Sequence, residues 1–310
     1  MNVLVTGVAG FVGSRLAARL IADGHAVRGL DNFLAGFKEN IPDGCEFVEA
    51  DLRDPDAVRA AMRGVEVVYH QAARRSVAKS VDDPRLSHEC NATGTLNLLI
   101  AARDEGVRKV VYASSSSVYG DPAEPLRVET QTPRPISPYA VSKLAGEHYG
   151  QAFAAIHGLP FVSLRYFNVF GPGQHRESKY ALLFPAFVEA LVQGRPPEID
   201  WDGEQSRDFT FIDDVVEANL AAAAAGPPSG GEADGEAFNI GGGHGRTVRE
   251  VLQAVSDAVG RWIEPVSTPK RPGDVRATLA DIGKAKRLLG WEPRADWTTS
   301  VRACVDWFAH

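Results

Sequence analysis

Through the first half of the chain, short runs rich in Val, Ile and Leu alternate with amphipathic segments of helix length. Asn2–Thr6, Ala26–Leu30, Glu46–Glu49, Glu66–Tyr69, Lys109–Ser114 and Phe161–Phe167 read as strands. The segments between them mark their own ends. Asp54-Pro55 offers an N-cap and a first-turn proline for a helix that stops at Gly64, and another helix runs from about Thr93 to Gly106. Strands and helices in strict alternation predict an α/β fold, a doubly wound parallel sheet covered by helices on both faces.

Beyond about Arg165 the alternation weakens as Pro, Gly and charged residues interrupt it. The expected division is therefore a first domain over residues 1–165 and a smaller α+β domain over 166–310. Ala225–Glu236 (AGPPSGGEADGE) is the strongest loop signal. The apolar stretch at Ala237–Gly241 that follows reads as a strand returning to the first sheet. There is no internal repeat.

Composition narrows the classes. A chain of 310 residues, 44% apolar and 24% charged, can bury a full core. Its net charge of -7 offers no general attraction to a polyanion, so nucleic acid and anionic membranes are not expected partners. Cys45, Cys90 and Cys304 lie far apart and form no CxxC pair, which predicts neither a disulfide framework nor a zinc site. The N-terminus enters a strand without an export signal, and the alanine run at Ala221–Ala225 is too short to span a bilayer. The expectation is a cytoplasmic protein with no metal.

The first strand ends in GVAGFVG, with Gly7, Gly10 and Gly13 at three-residue spacing before a helix carrying Leu16 and Leu20. Glycines there let backbone approach a pyrophosphate at a helix N-terminus, the signature of a Rossmann dinucleotide site. Asp31 ends the second strand, where a carboxylate can accept both ribose hydroxyls and would repel a 2′-phosphate. That favours NAD over NADP. Asp31 could also simply cap the next turn. Asp51-Leu52, ending the third strand, is placed to hold the adenine edge.

Ser137-Pro138 opens a helix bearing Tyr139 and Lys143, four residues apart and so on one face. An ammonium beside the phenol, together with a positive nicotinamide, is expected to lower the tyrosine pKa from ~10 and make Tyr139 a general base. About 24 residues upstream, Ser114, Ser115, Ser116 and Ser117 stand at a strand end, where open α/β sheets place their chemistry.

These motifs resemble the extended short-chain dehydrogenase/reductases, and within them the nucleotide-sugar 4-epimerases. The likeness runs through GVAGFVG, DNFLAG from Asp31, HQAA from His70, SSSSVYG, YAVSK from Tyr139, RYFNVFGPGQ from Arg165, SRDFTFIDD from Ser206 and RPGDVRATLAD from Arg271. The resemblance implies Ser115 as hydroxyl partner of Tyr139 and Lys143 as the third catalytic residue. It implies a cofactor site of Gly7, Gly10, Phe11, Val12, Gly13, Asp31, Asn32, Asp51, Leu52, Gln71, Ala72, Ala73, Arg75, Asn91, Ser114, Tyr139, Lys143 and Tyr166, with Arg75 where a family lysine meets a cofactor phosphate. For a UDP-sugar substrate it implies Ser115, Ser116, Tyr139, Asn168, Arg207, Arg271, Asp274 and Thr278. Guanidiniums suit a diphosphate and a carboxylate suits the ribose hydroxyls.

The implied activity is NAD-dependent UDP-hexose 4-epimerisation through a transient 4-keto sugar. Family 4,6-dehydratases carry an Asp-Glu pair after the hydroxyl residue, whereas this chain has Ser116 and Ser117. A net 4-keto reductase is disfavoured by Asp31. A catalytically idle NAD-binding protein would have no need of Ser115, Tyr139 and Lys143. Thr278 stands where sugar-restricted members carry tyrosine, leaving room for a 2-acetamido group. The family is commonly a homodimer, for which the helices beginning near Thr93 and Tyr139 are the candidates.

Overall fold

The computed structural model describes residues 1–174, 183–225, 231–270 and 276–309. In chain order its strands are β1 (Asn2–Thr6), β2 (Ala26–Asp31), β3 (Glu46–Glu49), β4 (Val67–His70), β5 (Lys109–Ser115), β6 (Leu126–Arg127), β7 (Phe161–Tyr166), β8 (Val169–Phe170), β9 (Glu198–Asp200), β10 (Ser206–Asp208), β11 (Thr210–Phe211), β12 (Glu236–Ile240), β13 (Gly245–Thr247), β14 (Val266–Thr268) and β15 (Ala277–Ala280). The helices are α1 (Phe11–Ala22), α2 (Pro55–Met62), α3 (Val77–Asp82), α4 (Pro84–His88), α5 (Gly94–Asp104), α6 (Pro138–His157), α7 (Leu183–Val192), α8 (Ile212–Ala224), α9 (Val248–Val259), α10 (Gly283–Leu288) and α11 (Trp297–Ala309).

Seven parallel strands in the order β12-β7-β5-β4-β1-β2-β3 form the main sheet. The expected α/β doubly wound architecture is the observed one. Residues alternate between its faces. Val3, Val5, Leu16, Leu20 and Val111 join α1 and α8 on one side. Leu4, Val68, Leu98, Val110 and Phe161 join α2 and α5 on the other. Each such fully buried aliphatic side chain contributes ~1.5–3 kcal/mol.

The chain-end signals work as chemistry predicts. Asp54 accepts the Asp56 and Ala57 amides ahead of Pro55, and Ser137 accepts the Ala140 amide ahead of Pro138. The helix expected from about Thr93 has a longer approach. A second Asp-Pro signal at Asp83-Pro84 starts α4, and a π-helical turn at Glu89–Thr93 leads into α5.

Segments cross the expected boundary at residue 165 in both directions. The strand β6 from the first half joins the four-stranded sheet β13-β10-β15-β6, while β12 from the second half closes the main sheet and α8 packs on α1. Around α7, α9 and α11 a separate core gathers Phe170, Phe184, Phe187, Leu252 and Phe308. Among the described residues, no helix is long and apolar enough to cross a membrane, and no cluster of metal-ligating side chains occurs.

Candidate active site

A cavity of about 280 Å³ runs along the C-terminal ends of the central strands. The turn after β1 forms its floor. Gly7 takes φ +71°, and a Cβ on Gly13 would stand 2.1 Å from the Gly7 carbonyl oxygen, so α1 can pack against this turn only through glycine. No side chain caps the N-terminus of α1, and Gly10, Phe11, Val12 and Gly13 line the cavity there. Free helix N–H donors and a favourable dipole fit an anionic diphosphate.

Asp31 caps the turn that follows it and also borders the cavity. Its carboxylate lines the cavity while accepting the Ala9 amide at 3.0 Å and the Phe33 amide at 2.8 Å, so it also braces the glycine turn. Asp51 accepts from Asn32 Nδ2 at 2.8 Å and from Arg53 Nε at 3.0 Å, and Arg53 holds its carboxyl down at about 2. Asn32, Leu52, Gln71, Ala72, Ala73, Arg75 and Tyr166 line the same cavity. These residues fit a dinucleotide: an uncapped helix end suits its diphosphate, and the Asp31 carboxylate at the end of β2 suits a ribose hydroxyl.

Two expected cofactor residues are spent elsewhere. Asn91 is fully buried; it accepts the Arg74 amide at 2.7 Å and donates to Ser142 Oγ at 2.9 Å, standing behind the wall rather than in it. The Ser114 hydroxyl turns inward to Glu147, although the residue itself borders the cavity. Each prefers a buried polar partner that would otherwise go unsatisfied.

Lys143 and Tyr139 enter the cavity from α6. Burial pushes the Tyr139 phenol up from its ordinary value, while a hydrogen bond with Ser115 and the nearby Arg75 guanidinium pull it back. Lys143 is not among the groups that shift the phenol here; its ammonium donates to the Ala113 carbonyl at 2.6 Å. Burial brings Lys143 itself down to about 7, with Glu147 opposing. Ser115 also accepts the Ser117 amide at 3.2 Å, opening a tight turn from Ser116.

The sequence reading missed a polar triangle at the opposite wall. Asn219 on α8 donates to the Tyr166 hydroxyl at 2.8 Å and accepts from Gln71 Nε2 at 2.9 Å, fixing two cavity-lining side chains. It also missed Asp208, which accepts the Gly242, Gly243 and Ala280 amides at 2.6, 3.2 and 3.0 Å. Burial raises that carboxyl to about 6. Nothing in local spacing distinguishes either residue.

Of the expected substrate residues, Arg207 on β10 sits in register with Thr278 on β15. Asn168 donates from Nδ2 to the Asp208 carbonyl at 2.8 Å. Arg271 and Asp274 lie outside the described residues.

The model of the NAD dependent epimerase/dehydratase family matches residues 3–241. A UDP-glucose 4-epimerase of Mycolicibacterium smegmatis is 42% identical, over 99% of this chain and 98% of that one. The structure of Thermus thermophilus UDP-glucose 4-epimerase with NAD superposes with a TM-score of 0.90 at 40% identity, covering 99% of both chains. That of Methanobrevibacter ruminantium UDP-N-acetylglucosamine 4-epimerase, with UDP-N-acetylmuramic acid, gives 0.93 at 34% identity, covering 99% of this chain and 97% of that one.

Proposed function

The chain belongs to the NAD dependent epimerase/dehydratase family, and we propose that it is a UDP-hexose 4-epimerase that interconverts UDP-glucose and UDP-galactose and accepts their N-acetylated forms. Its cofactor is NAD. The observation that carries this reading is one cavity lined both by the glycine turn and by Tyr139 and Lys143, with Tyr139 hydrogen-bonded to Ser115.

Gly7 to Gly13 would hold the pyrophosphate, Asp31 the adenosine ribose, and Gln71 and Tyr166 the nicotinamide end. NAD supplies the group that accepts and returns a hydride at sugar C4. Tyr139 takes the proton from the sugar 4-hydroxyl and gives it back to the oxygen of the rotated 4-keto sugar. Ser115 donates a hydrogen bond to the same oxygen, and Lys143 sustains the charge balance of the phenol. Arg207 and Arg271 bind the diphosphate, Asp274 the uridine ribose, and Asn168 and Ser116 border the sugar. A 4,6-dehydratase would need an acid and a base beside the oxidised sugar; Ser116 and Ser117 offer neither.

Val141, Tyr149 and Ile156 are exposed along α6 and support pairing of two copies through α5 and α6. A cytoplasmic site of action suits the free cysteines. The test is incubation of the purified protein with UDP-glucose, UDP-galactose and their N-acetylated forms, read by proton NMR. Inversion at C4 is expected. Loss of the 6-hydroxyl, or no turnover with NAD bound, would refute the reading.

A further inference from the structure

Beneath the cavity, α6 lies close against β5 and β7. A Cβ on Gly146 would stand 2.3 Å from the Tyr112 hydroxyl oxygen, and one on Gly150 2.0 Å from the Phe161 ring. This approach sets two side chains of α6, one helical turn apart, onto consecutive residues of β5. Lys143 Nζ donates to the Ala113 carbonyl at 2.6 Å, and Glu147 accepts the Ser114 hydroxyl. From β7, Arg165 closes on the same carboxylate, with Nε at 3.0 and 3.3 Å from its two oxygens and Nη2 at 2.7 Å. The Glu147 side chain is wholly inaccessible, and that of Arg165 is 5% exposed.

A buried ion pair is weak support for stability, because a well-packed apolar pair often serves as well. Its position is what calls for an account. Around Lys143 stand the Tyr112 ring of β5 at 4.9 Å, the His70 imidazole of β4 and, one turn back, Tyr139. Burial pushes both phenols up and His70 down to about 3, so none of the three carries a positive charge. Among the described residues, Glu147 is the anion that favours charge on Lys143, with Arg165 partly neutralising it.

We infer that Glu147 is a positioning residue: seated by Arg165 and Ser114 one helical turn from Lys143, it keeps Lys143 an ammonium on the Ala113 carbonyl beside Tyr139. Its catalytic consequence rests on the 4-epimerase reading. Without that carboxylate, desolvation acts on Lys143 unopposed and the ammonium loses its proton at lower pH. Without Arg165, the unneutralised carboxylate acts more strongly and the proton is kept to higher pH. The two partners of one ion pair therefore have opposite effects.

The experiment uses the NAD-bound protein with lysine labelled at 13Cε, the Lys143 resonance being identified by its loss in Lys143→Arg. In Glu147→Gln the Lys143 titration and the alkaline limb of kcat are expected to fall together by about one pH unit, with KM within about twofold. In Arg165→Met both rise. Thermal unfolding establishes which variants are folded, and if Glu147→Gln is not, the upward shift in Arg165→Met decides alone. Shifts of the same sign in both, or none, overturn the inference. If the opposite shifts appear but wild type inverts no UDP-hexose, the 4-epimerase reading fails and the hold on Lys143 stands. If wild type turns over and the shifts are missing, only this inference fails.

Discussion

The cavity and the region proposed to hold the UDP-sugar are built differently. At the cofactor end, each element is a strand followed at once by its turn and helix: β1 runs into the glycine turn and α1, β2 ends on Asp31, and β3 leads to Asp51. In the proposed substrate region, Asn168 precedes the two-residue β8, Arg207 lies on the three-residue β10 and Thr278 on β15, some 70 residues further on. The first region is stiff because its backbone is paired within a seven-stranded sheet. In the second, short strands pair over two or three residues, and the buried carboxylate of Asp208 adds bonds from β10 to Ala280 on β15 and to the loop after β12. Local continuity secures the first, and short paired strands braced by a buried side chain secure the second.

Variants can break that contrast. The largest effect is expected where both ends meet the chemistry: Tyr139→Phe should lower kcat by ~10²–10⁴, the range for a lost acid–base group, with the far-UV circular dichroism unchanged. Next, Asp208→Ala leaves three amides without their acceptor and should cost ~3 kcal/mol in urea unfolding. It should raise KM for UDP-glucose while the NAD content of the folded protein stays the same; a loss of NAD instead would show the two ends to be one unit. Asp31→Ser removes the brace of the glycine turn together with the ribose acceptor. Its NAD affinity should fall by ~10-fold, about one charge-assisted hydrogen bond, measured by calorimetry after cofactor removal, with Arg207 and Thr278 undisturbed. The smallest expected change is in selectivity. Thr278→Tyr should reduce turnover of UDP-N-acetylglucosamine relative to UDP-glucose by ~10-fold, the scale on which pocket shape discriminates, and equal losses on both substrates would remove Thr278 from that role.

Much of the cofactor end was legible because its signals are local. Gly7, Gly10, Gly13, Asp31 and the Tyr139/Lys143 pair each sit at a fixed offset from a strand end or helix start, and strand alternation places those ends side by side. The Glu147 position was legible in principle, four residues beyond Lys143 on the same helical face, yet a carboxylate there ordinarily reads as a solvated partner. Asn91 was misplaced for the opposite reason: motif position gives a residue's neighbourhood, but not whether its amide faces the cavity or the Arg74 backbone.

Sequence by itself determined the doubly wound sheet, the glycine turn, the caps at Asp54 and Ser137 and the placing of Tyr139 and Lys143 on one helix, since these follow from residue period and from offsets of a few residues. Only the tertiary structure decided which distant polar groups meet. Glu147 with Arg165, Asn219 with Tyr166 and Gln71, and Asp208 with Ala280 are pairings between elements 18 to 148 residues apart. The physical reason is desolvation: a buried donor or acceptor must find a partner wherever packing brings one, and packing is settled by the whole core rather than by any segment of it.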